Sequence, residues 1–505
     1  MKLKEMKKFS LLILSLFLYF NSTFALSYET KLSSGIEATY NFEFNKATRI
    51  FKQLIHSNPK RAEGYHNLSI IYLWSYLGSK NNDEFSAFLR YSDIALELAE
   101  NNFSDDPDSP ENNYLLGQIY MQRAIAFAKK QSSLEAFWAT KKAVDYFEAT
   151  LKLNPKYFDA YSGLGLLKYS LSYVPSLFSW ALKVTGLKAS RSEGLNYLKK
   201  SFKYGKTTKE ESAYHLSRIY IDYIADYDSS QYYINYLTSR FPRNIIFTYQ
   251  NALLKINQRK LEEAAFLLDK IFAQKDKKMI QTNSFSFFLK GEIEFRKNNF
   301  EKAIYFYDKF LTTAVDFDYS GIAYFNIAIC NFALNKEEEA KKNLLLARNG
   351  NDDIPDDNYA KRRSAILFEK GLSNEELKIF IAKNNLLSSN YSKVIDSLEP
   401  LIDSLENSEQ KGEALLILSD ALISVGKIRK AINYSIVAGK IDYHIEKWIY
   451  PNVLFISAKA HKLAGKWKDA RQILTEAERN NNDVDFKDKL TPQINFLKKQ
   501  LKLSI

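Results

Sequence analysis

Residues 45–60, NKATRIFKQLIHSNPK, decide how the chain folds. Ala47 stands twelve residues after Gly35, and Pro59 stands twelve after Ala47. Two helices cross at about 8–10 Å only where neither backbone carries a bulky side chain at the contact. A small residue, a second small residue twelve on and then a proline therefore predict two helices joined by a tight turn, with the proline ending the second helix.

The same trio recurs along the chain. The first small residue returns as Ser69, Gly117, Gly165, Ser217, Ala252, Gly291, Ala328, Ala382, Ser419 and Ala458. The second returns as Ala87, Ala143, Gly194, Ser229, Ala264, Ala303, Ala340, Val394, Ala431 and Ala470, and the proline as Pro155 and Pro242. Large apolar residues flank these positions at helical spacing, as with Leu116 and Tyr120 beside Gly117, or Phe300 and Tyr307 around Ala303. A chain of 505 residues is too long for one ordinary core, so a repeat array is the economical solution. With 17 Gly and 10 Pro it lacks the breakers that a turn-rich β protein requires.

These residues resemble the tetratricopeptide repeat, a helix–turn–helix that stacks into a right-handed superhelix. The resemblance covers about 28–478 and implies an all-α solenoid. The closing stretch DKLTPQINFLKKQLKL reads as a capping helix, with Thr491 as N-cap and Pro492 in the first turn.

Three consecutive repeats break the twelve-residue interval: 69 to 87, 117 to 143 and 165 to 194 carry 6, 14 and 17 extra residues. Adjacent insertions at one kind of turn build one elaborated edge. The 14-residue case fits helices lengthened by about two turns each, whereas Pro175 interrupts the third. Within SYVPSLFSWALKVTGLKASRSEGLNYLKKSFKYG, the positions Ser172, Pro175, Gly186, Arg191, Gly194, Leu195 and Leu198 resemble the Ser-x-x-Pro, central Gly and Arg-x-x-Gly-Leu of one tetratricopeptide family. That family includes inclusion-body clearance protein and tetratricopeptide repeat protein 39, and the resemblance spans about 60–310. Its members are intracellular adaptors, a role this chain's export signal argues against. NGNDDIPDDNYAKRRSAILFEKG has linker chemistry and then a helix over Asp357–Lys370. The expected organisation is a signal at 1–25, elongated repeats at 26–205, regular repeats at 206–349, a linker with an extra helix at 350–373, and C-terminal repeats with the cap at 374–505.

The first 25 residues have a basic start at Lys2, Lys4, Lys7 and Lys8, an apolar run from Phe9 to Phe20 and a polar exit ending at Ala25. Twelve apolar residues reach about 18 Å, short of the ~30 Å hydrocarbon core, which favours a cleaved signal over an anchor at 9–20. One cysteine, Cys330, leaves no disulfide framework, and export with a single cysteine suits a bacterial periplasm. The basic residues, among them Lys361, Arg362, Arg363, Lys498, Lys499 and Lys502, are scattered as on solvated helix faces, and no stripe for nucleic acid forms.

No catalytic, cofactor or metal set is expected. His56, His66, His215, His444 and His461 lack metal spacing, and Asp442, His444 and Glu446 read as a solvated linker. Gly163 and Gly165 lack the third glycine of a phosphate loop and read as helix contacts. Cys330 lies on an apolar helix and reads as a buried thiol. The functional surface is then the concave face of first helices. The residues three before each first small residue are His66, Tyr114, Ser162, Tyr214, Tyr249, Phe288, Phe325, Ile379, Leu416 and Phe455. The resemblance places this position in the inner groove. Tyr114, Tyr214, Tyr249, Phe288, Phe325 and Phe455, with Gln118, Arg218, Glu292 and Arg296 beside them, are the candidate contacts for a peptide or protein. The competing use of these aromatics is to fill a narrow groove. Two further readings are a peripheral membrane protein dipping the apolar 173–182 stretch into a bilayer, and an accessory subunit of an envelope enzyme.

Overall fold

A computed structural model describes residues 28–174, 182, 185–274 and 278–502. The signal at 1–25 lies outside the described residues, as do Pro175 and Trp180. The helices group into two units, unit 1 being Met1–Leu216 with Tyr236–Ile245, and unit 2 Ser217–Asn235 with Ile246–Ile505.

Unit 1 runs through α1 (28–40), α2 (Phe44–Ser57), α3 (Ala62–Ser79), α4 (Asn82–Asp105), α5 (Pro110–Lys129), α6 (Ser133–Leu153), α7 (Ala160–Leu171) and α8 (Arg191–Tyr204). The pair α9 (Lys209–Ile219) and α10 (Tyr227–Arg240) is shared between the two units. Unit 2 continues with α11 (Ile245–Asn257), α12 (Leu261–Gln274), α13 (Ile280–Arg296), α14 (Phe300–Thr313), α15 (Ser320–Ala333) and α16 (Glu337–Ala347). After a single helix α17 (Pro355–Lys370) come α18 (Asn374–Leu387), α19 (Tyr391–Leu398), α20 (Ser408–Ser424), α21 (Ile428–Ala438), α22 (Ile449–Leu463), α23 (Trp467–Asn480) and α24 (Lys487–Gln500). Among the described residues there is no strand.

Seven of the hairpins turn in the same way. A residue with positive φ stands seven after the first small residue and five before the second: Phe42, Arg259, Asn298, Asn335, Ser389, Gly426 and Gly465. The next N–H reaches back five residues to close the helix, as in Asn299 N–H to Glu294 O at 2.9 Å and Lys427 N–H to Leu422 O at 2.9 Å. This is a Schellman ending, which satisfies carbonyls the helix would otherwise orphan.

The long hairpins keep this geometry by adding whole turns. In α5–α6 the positive-φ residue is Gln131, fourteen after Gly117 and twelve before Ala143, so each helix gains seven residues, or about 10 Å. In α3–α4 the turn residue is Lys80, eleven after Ser69. The position twelve beyond it is Ser92, 2 % exposed, whereas Ala87 is only partly buried. Ala87 is therefore not a fully buried small residue of α4; Ser92 is.

A second shift occurs in α9–α10. Ser230, not Ser229, is fully buried, and its Oγ donates to Ser217 O at 3.0 Å. The residues Tyr220–Ile224 form a π turn, and Asp226 N–H bonds Tyr220 O across six residues at 3.0 Å. One residue is inserted there, so the interval becomes thirteen.

The crossings themselves are as close as small residues allow. A Cβ on Gly165 would lie 2.9 Å from Gly194 O, and one on Gly194 would lie 2.7 Å from Gly165 O. At Gly35, Gly117 and Gly291 the obstacle is instead the ring of Phe51, Phe147 or Tyr307, four residues past the partner's small residue.

The cap differs from its expected start. α24 begins at Lys487 behind Phe486, which has φ 60°, so Thr491 is inside the helix and Pro492 is its sixth residue. Thr491 Oγ1 donates to Lys487 O at 2.8 Å. α24 buries Leu490, Ile494 and Leu497 against α22, α23 and the π turn, and Lys499 pairs with Asp226 at 3.6 Å.

Candidate functional site

The first-helix positions are mostly consumed by packing. In unit 1, His66 and Ser162 are buried, and Ser162 Oγ accepts from Ser212 Oγ at 2.9 Å. Tyr114 packs on Tyr157 at 4.9 Å and Phe147 at 6.1 Å, and its hydroxyl accepts from Gln118 Nε2 at 3.0 Å. Burial, with Asp159 nearby, pushes that hydroxyl well above the usual tyrosine range. Tyr214 is half-buried with its ring edge on His215.

In unit 2, Phe288 is enclosed by Phe310, Tyr319 and Tyr307 at 5.2–5.9 Å. Phe325 lies between Tyr359 and Phe380, and Ile379, Leu416 and Phe455 join the C-terminal core. Glu292 Oε1 accepts from Tyr307 Oη at 2.6 Å and Asn326 Nδ2 at 2.8 Å, while Oε2 pairs with Arg296 at 3.3 Å. Arg218 is the exposed member of this row in unit 2, and Tyr249, like Glu292 and Arg296, is partly buried; Arg218 binds Asp222 in the π turn at 2.8 Å.

The C-terminal hairpins gather around α17. Arg362 bridges Glu446 at 2.8 Å and Asp485 at 2.7 Å, and Arg363 pairs with Glu376 and with Glu446 at 3.3 Å. Trp448 Nε1 donates to Glu446 Oε2 at 2.7 Å, and Lys383 lies 4.6 Å over the Trp448 ring while pairing with Glu413. Burial alone would raise the Glu446 carboxyl, but the two guanidiniums and the indole hold it below its ordinary value. Glu376 is raised, because burial and the neighbouring Glu413 and Glu446 outweigh Arg363. A second brace joins the α11–α12 turn to α20 and α22. Asp420 takes Arg259 at 2.6 Å and Lys459 at 3.0 Å, and these cations overcome burial to bring its carboxyl down to about 2.

Two sequence expectations change here. Arg362 and Arg363 serve as counter-charges to buried carboxylates, not as a solvated face; the charge run was visible, but the partners of Arg362 lie 84 and 123 residues away in sequence, and only Glu376, 13 residues from Arg363, is near. Glu446 is buried and engaged, whereas Asp442 and His444 are exposed, so the three do not converge. Among the described residues no His, Cys, Asp and Glu group is placed to hold a metal ion. Cys330 is fully buried, which pushes its thiol far above the ordinary range.

The local motif near residue 172 has a physical basis. Arg191 Nε donates to Ser172 Oγ at 3.3 Å, its guanidinium lies 4.3 Å over the Tyr173 ring, and Gly186 has φ 69°. Within the 173–182 stretch, Val174 and Leu182 pack on the α5–α8 core.

Residues 160–349 match the family model described as Iml2/Tetratricopeptide repeat protein 39. The match begins at α7, beyond the hairpins with lengthened helices, and runs to the end of α16, further than the residues 60–310 that carried the sequence resemblance. No curated protein matches the chain. Among solved structures, the tetratricopeptide domain of P58(IPK) shares 13% identity over 87% of this chain and 99% of its own, with a TM-score of 0.24. Yeast Tom70 shares 13% over 95% and 96%, with a TM-score of 0.23. The Cut9–Hcn1 hetero-tetramer of APC/C shares 12% over 92% and 89%, with a TM-score of 0.25. The hairpin geometry and the family match carry the repeat assignment; these superpositions add nothing to it. The chain is an all-helical array of tetratricopeptide type.

Proposed function

We propose that this chain is a non-catalytic protein-binding scaffold of a bacterial cell envelope, exported by a signal cleaved near Ala25. The observation that carries the binding role is which large apolar side chains stand in solvent. Leu134 is 67 % exposed and Trp138 55 %, one turn apart on α6, at the tip of the hairpin whose helices each gained two turns. Exposed apolar surface at the end of a rigid projection costs solubility and is kept where it is covered by a partner. Lengthening both helices by whole turns carries that tip outward without disturbing the crossing at Gly117. The elaborated N-terminal edge is therefore the leading contact, with the exposed Arg218 and the partly buried Tyr249 as first-helix contacts in unit 2. No helix among the described residues is long and apolar enough to cross a membrane.

Site-specific photocrosslinking in the native cell tests the reading. A crosslinker at 138 is expected to trap a discrete protein adduct that is absent with the crosslinker at the α23 surface position 468. A ladder identical at both positions would reject the edge. A reporter fusion after Ala25 tests export separately: retention of the reporter in the cytoplasm rejects the envelope assignment.

A further inference from the structure

We propose that the loops preceding α15 and α17 in unit 2 form a docking surface for a cationic protein segment that bears an aromatic or aliphatic side chain. This surface is separate from the first-helix row and the α5–α6 tip; it rests on the protein-binding reading and adds the chemistry of a partner. Phe317 is 76 % exposed, and Val315 and Ile280 stand partly in solvent with it. Hydrogen bonds join the segments. Gln281 Nε2 donates to Asp316 Oδ2 at 3.2 Å, and Asn351 Nδ2 donates to Asp318 Oδ1 at 2.6 Å.

Residues 314–319 and 348–357 hold six aspartates against one basic residue, Arg348, whose guanidinium lies over Phe368, while Lys278 precedes Ile280 on the third segment. This is a local reversal in a chain of net charge +12. Asp352 pairs with Lys361 and Asp356 with Lys489, and Asp357 is buried with its oxygens accepting from the Ile322 and Asn351 N–H groups; Asp318 and Asp353 have no ion pair among the described residues. Burial first, then Asp356, Asp488, Asp318 and Asp357, pushes the neighbouring Tyr319 hydroxyl up to about 12, as expected beside accumulated negative charge.

A second observation points to a donor-bearing ligand. Gln281 is more than nine-tenths buried, its amide nitrogen is committed to Asp316, and its Oε1 has no hydrogen-bond partner. A buried acceptor left open is costly, and an N–H or ammonium donor satisfies it. The charge excludes anionic lipid and nucleic acid, which this face repels. A metal ion would use carboxylates converging on one point and would have no need of Phe317. An apolar anchor inside an acidic rim is the complement of a basic peptide.

The test is selection of random displayed peptides on the full chain, followed by fluorescence anisotropy of the retained peptides. Basic peptides carrying an apolar residue are expected, weakened roughly tenfold or more by Phe317→Ser and by the pair Asp316→Asn with Asp353→Asn. Their affinity should also fall with salt. The melting temperature of Phe317→Ser should match wild type, since the side chain is in solvent. Retained peptides that are neutral or acidic, or that bind Phe317→Ser as well as wild type, overturn the proposal. Peptides indifferent to Phe317→Ser but lost with Tyr249→Ala or Trp138→Glu would sink this surface alone. An empty selection would count against the scaffold reading too.

Discussion

The Phe147 ring lies between two glycines of successive first helices: a Cβ on Gly117 would fall 2.7 Å from it, and one on Gly163 would fall closer still. Gly117→Ala is therefore expected to cost about 1–3 kcal/mol through overpacking. The same substitution beside Phe147→Leu should cost measurably less, a coupling that a double-mutant cycle of denaturant unfolding reads directly. Equal costs in both backgrounds would reject the ring as the cause. The small residues were legible in sequence, but their reason was only half visible, because a ring four residues past the partner's small residue has no fixed sequence distance once helices lengthen. His66 gives a second residue-scale prediction. Burial lowers its imidazole from 6.5 to about 4, against a smaller opposing effect of Glu63. Above pH 6.5 neither state binds the proton. As pH falls from 6.5 towards 4 the unfolded chain gains it and the folded chain does not, so stability is lost over that window by up to about 3 kcal/mol. Urea midpoints measured across pH 7–4 should fall more steeply in wild type than in His66→Asn. Asp420 acts in a separate window, between its ordinary range and about 2, where protonation removes the brace to Arg259 and Lys459.

At the scale of elements, the hairpins obey one rule and the exceptions have stated causes. The seven-and-five spacing about a left-handed residue holds in seven hairpins, yet glycine occupies that position only at Gly426 and Gly465. Turn chemistry therefore gave little warning of the others, where Phe42 or Arg259 is held left-handed by the Schellman bonds around it. The π turn at Tyr220–Ile224 absorbed one residue that a fixed period could not register, which placed Ser229 where Ser230 belongs. α17 matters for different reasons. Arg363 is nearly enclosed between Glu376 and Glu446, so Arg363→Ala should cost about 3–5 kcal/mol by leaving carboxylates buried without a counter-charge. Replacing Arg363 by Met together with Glu376→Met should recover part of that loss. Thermal melts of the single and double variants decide it: a double variant no better than the single one would show that the charges are not the issue.

For the whole molecule, composition and small-residue spacing were enough to reach an all-helical repeat, while the contacts across distant hairpins were not legible. Arg259 and Asp420 are separated by 161 residues, and Asn384 reaches Phe295 O across 89. No local pattern encodes such pairs, nor the packing of Phe325 between Tyr359 and Phe380, although its spacing alone suits a groove. α24 is the most exposed test of this bracing. Removing residues 487–505 is expected to accelerate hydrogen exchange at 220–226, where the cap covers the π turn, and to leave the middle of α15 protected. Unchanged exchange at 220–226 would mean the cap is dispensable. The cross-braces of unit 2 also carry a mechanical consequence. A simple solenoid touches only its neighbours and yields one repeat after another under tension. Here a turn is bolted to a helix eight elements further along the chain, so stretching loads several hairpins in parallel. Unit 2 is built to give way as a block, more like a riveted frame than a spring.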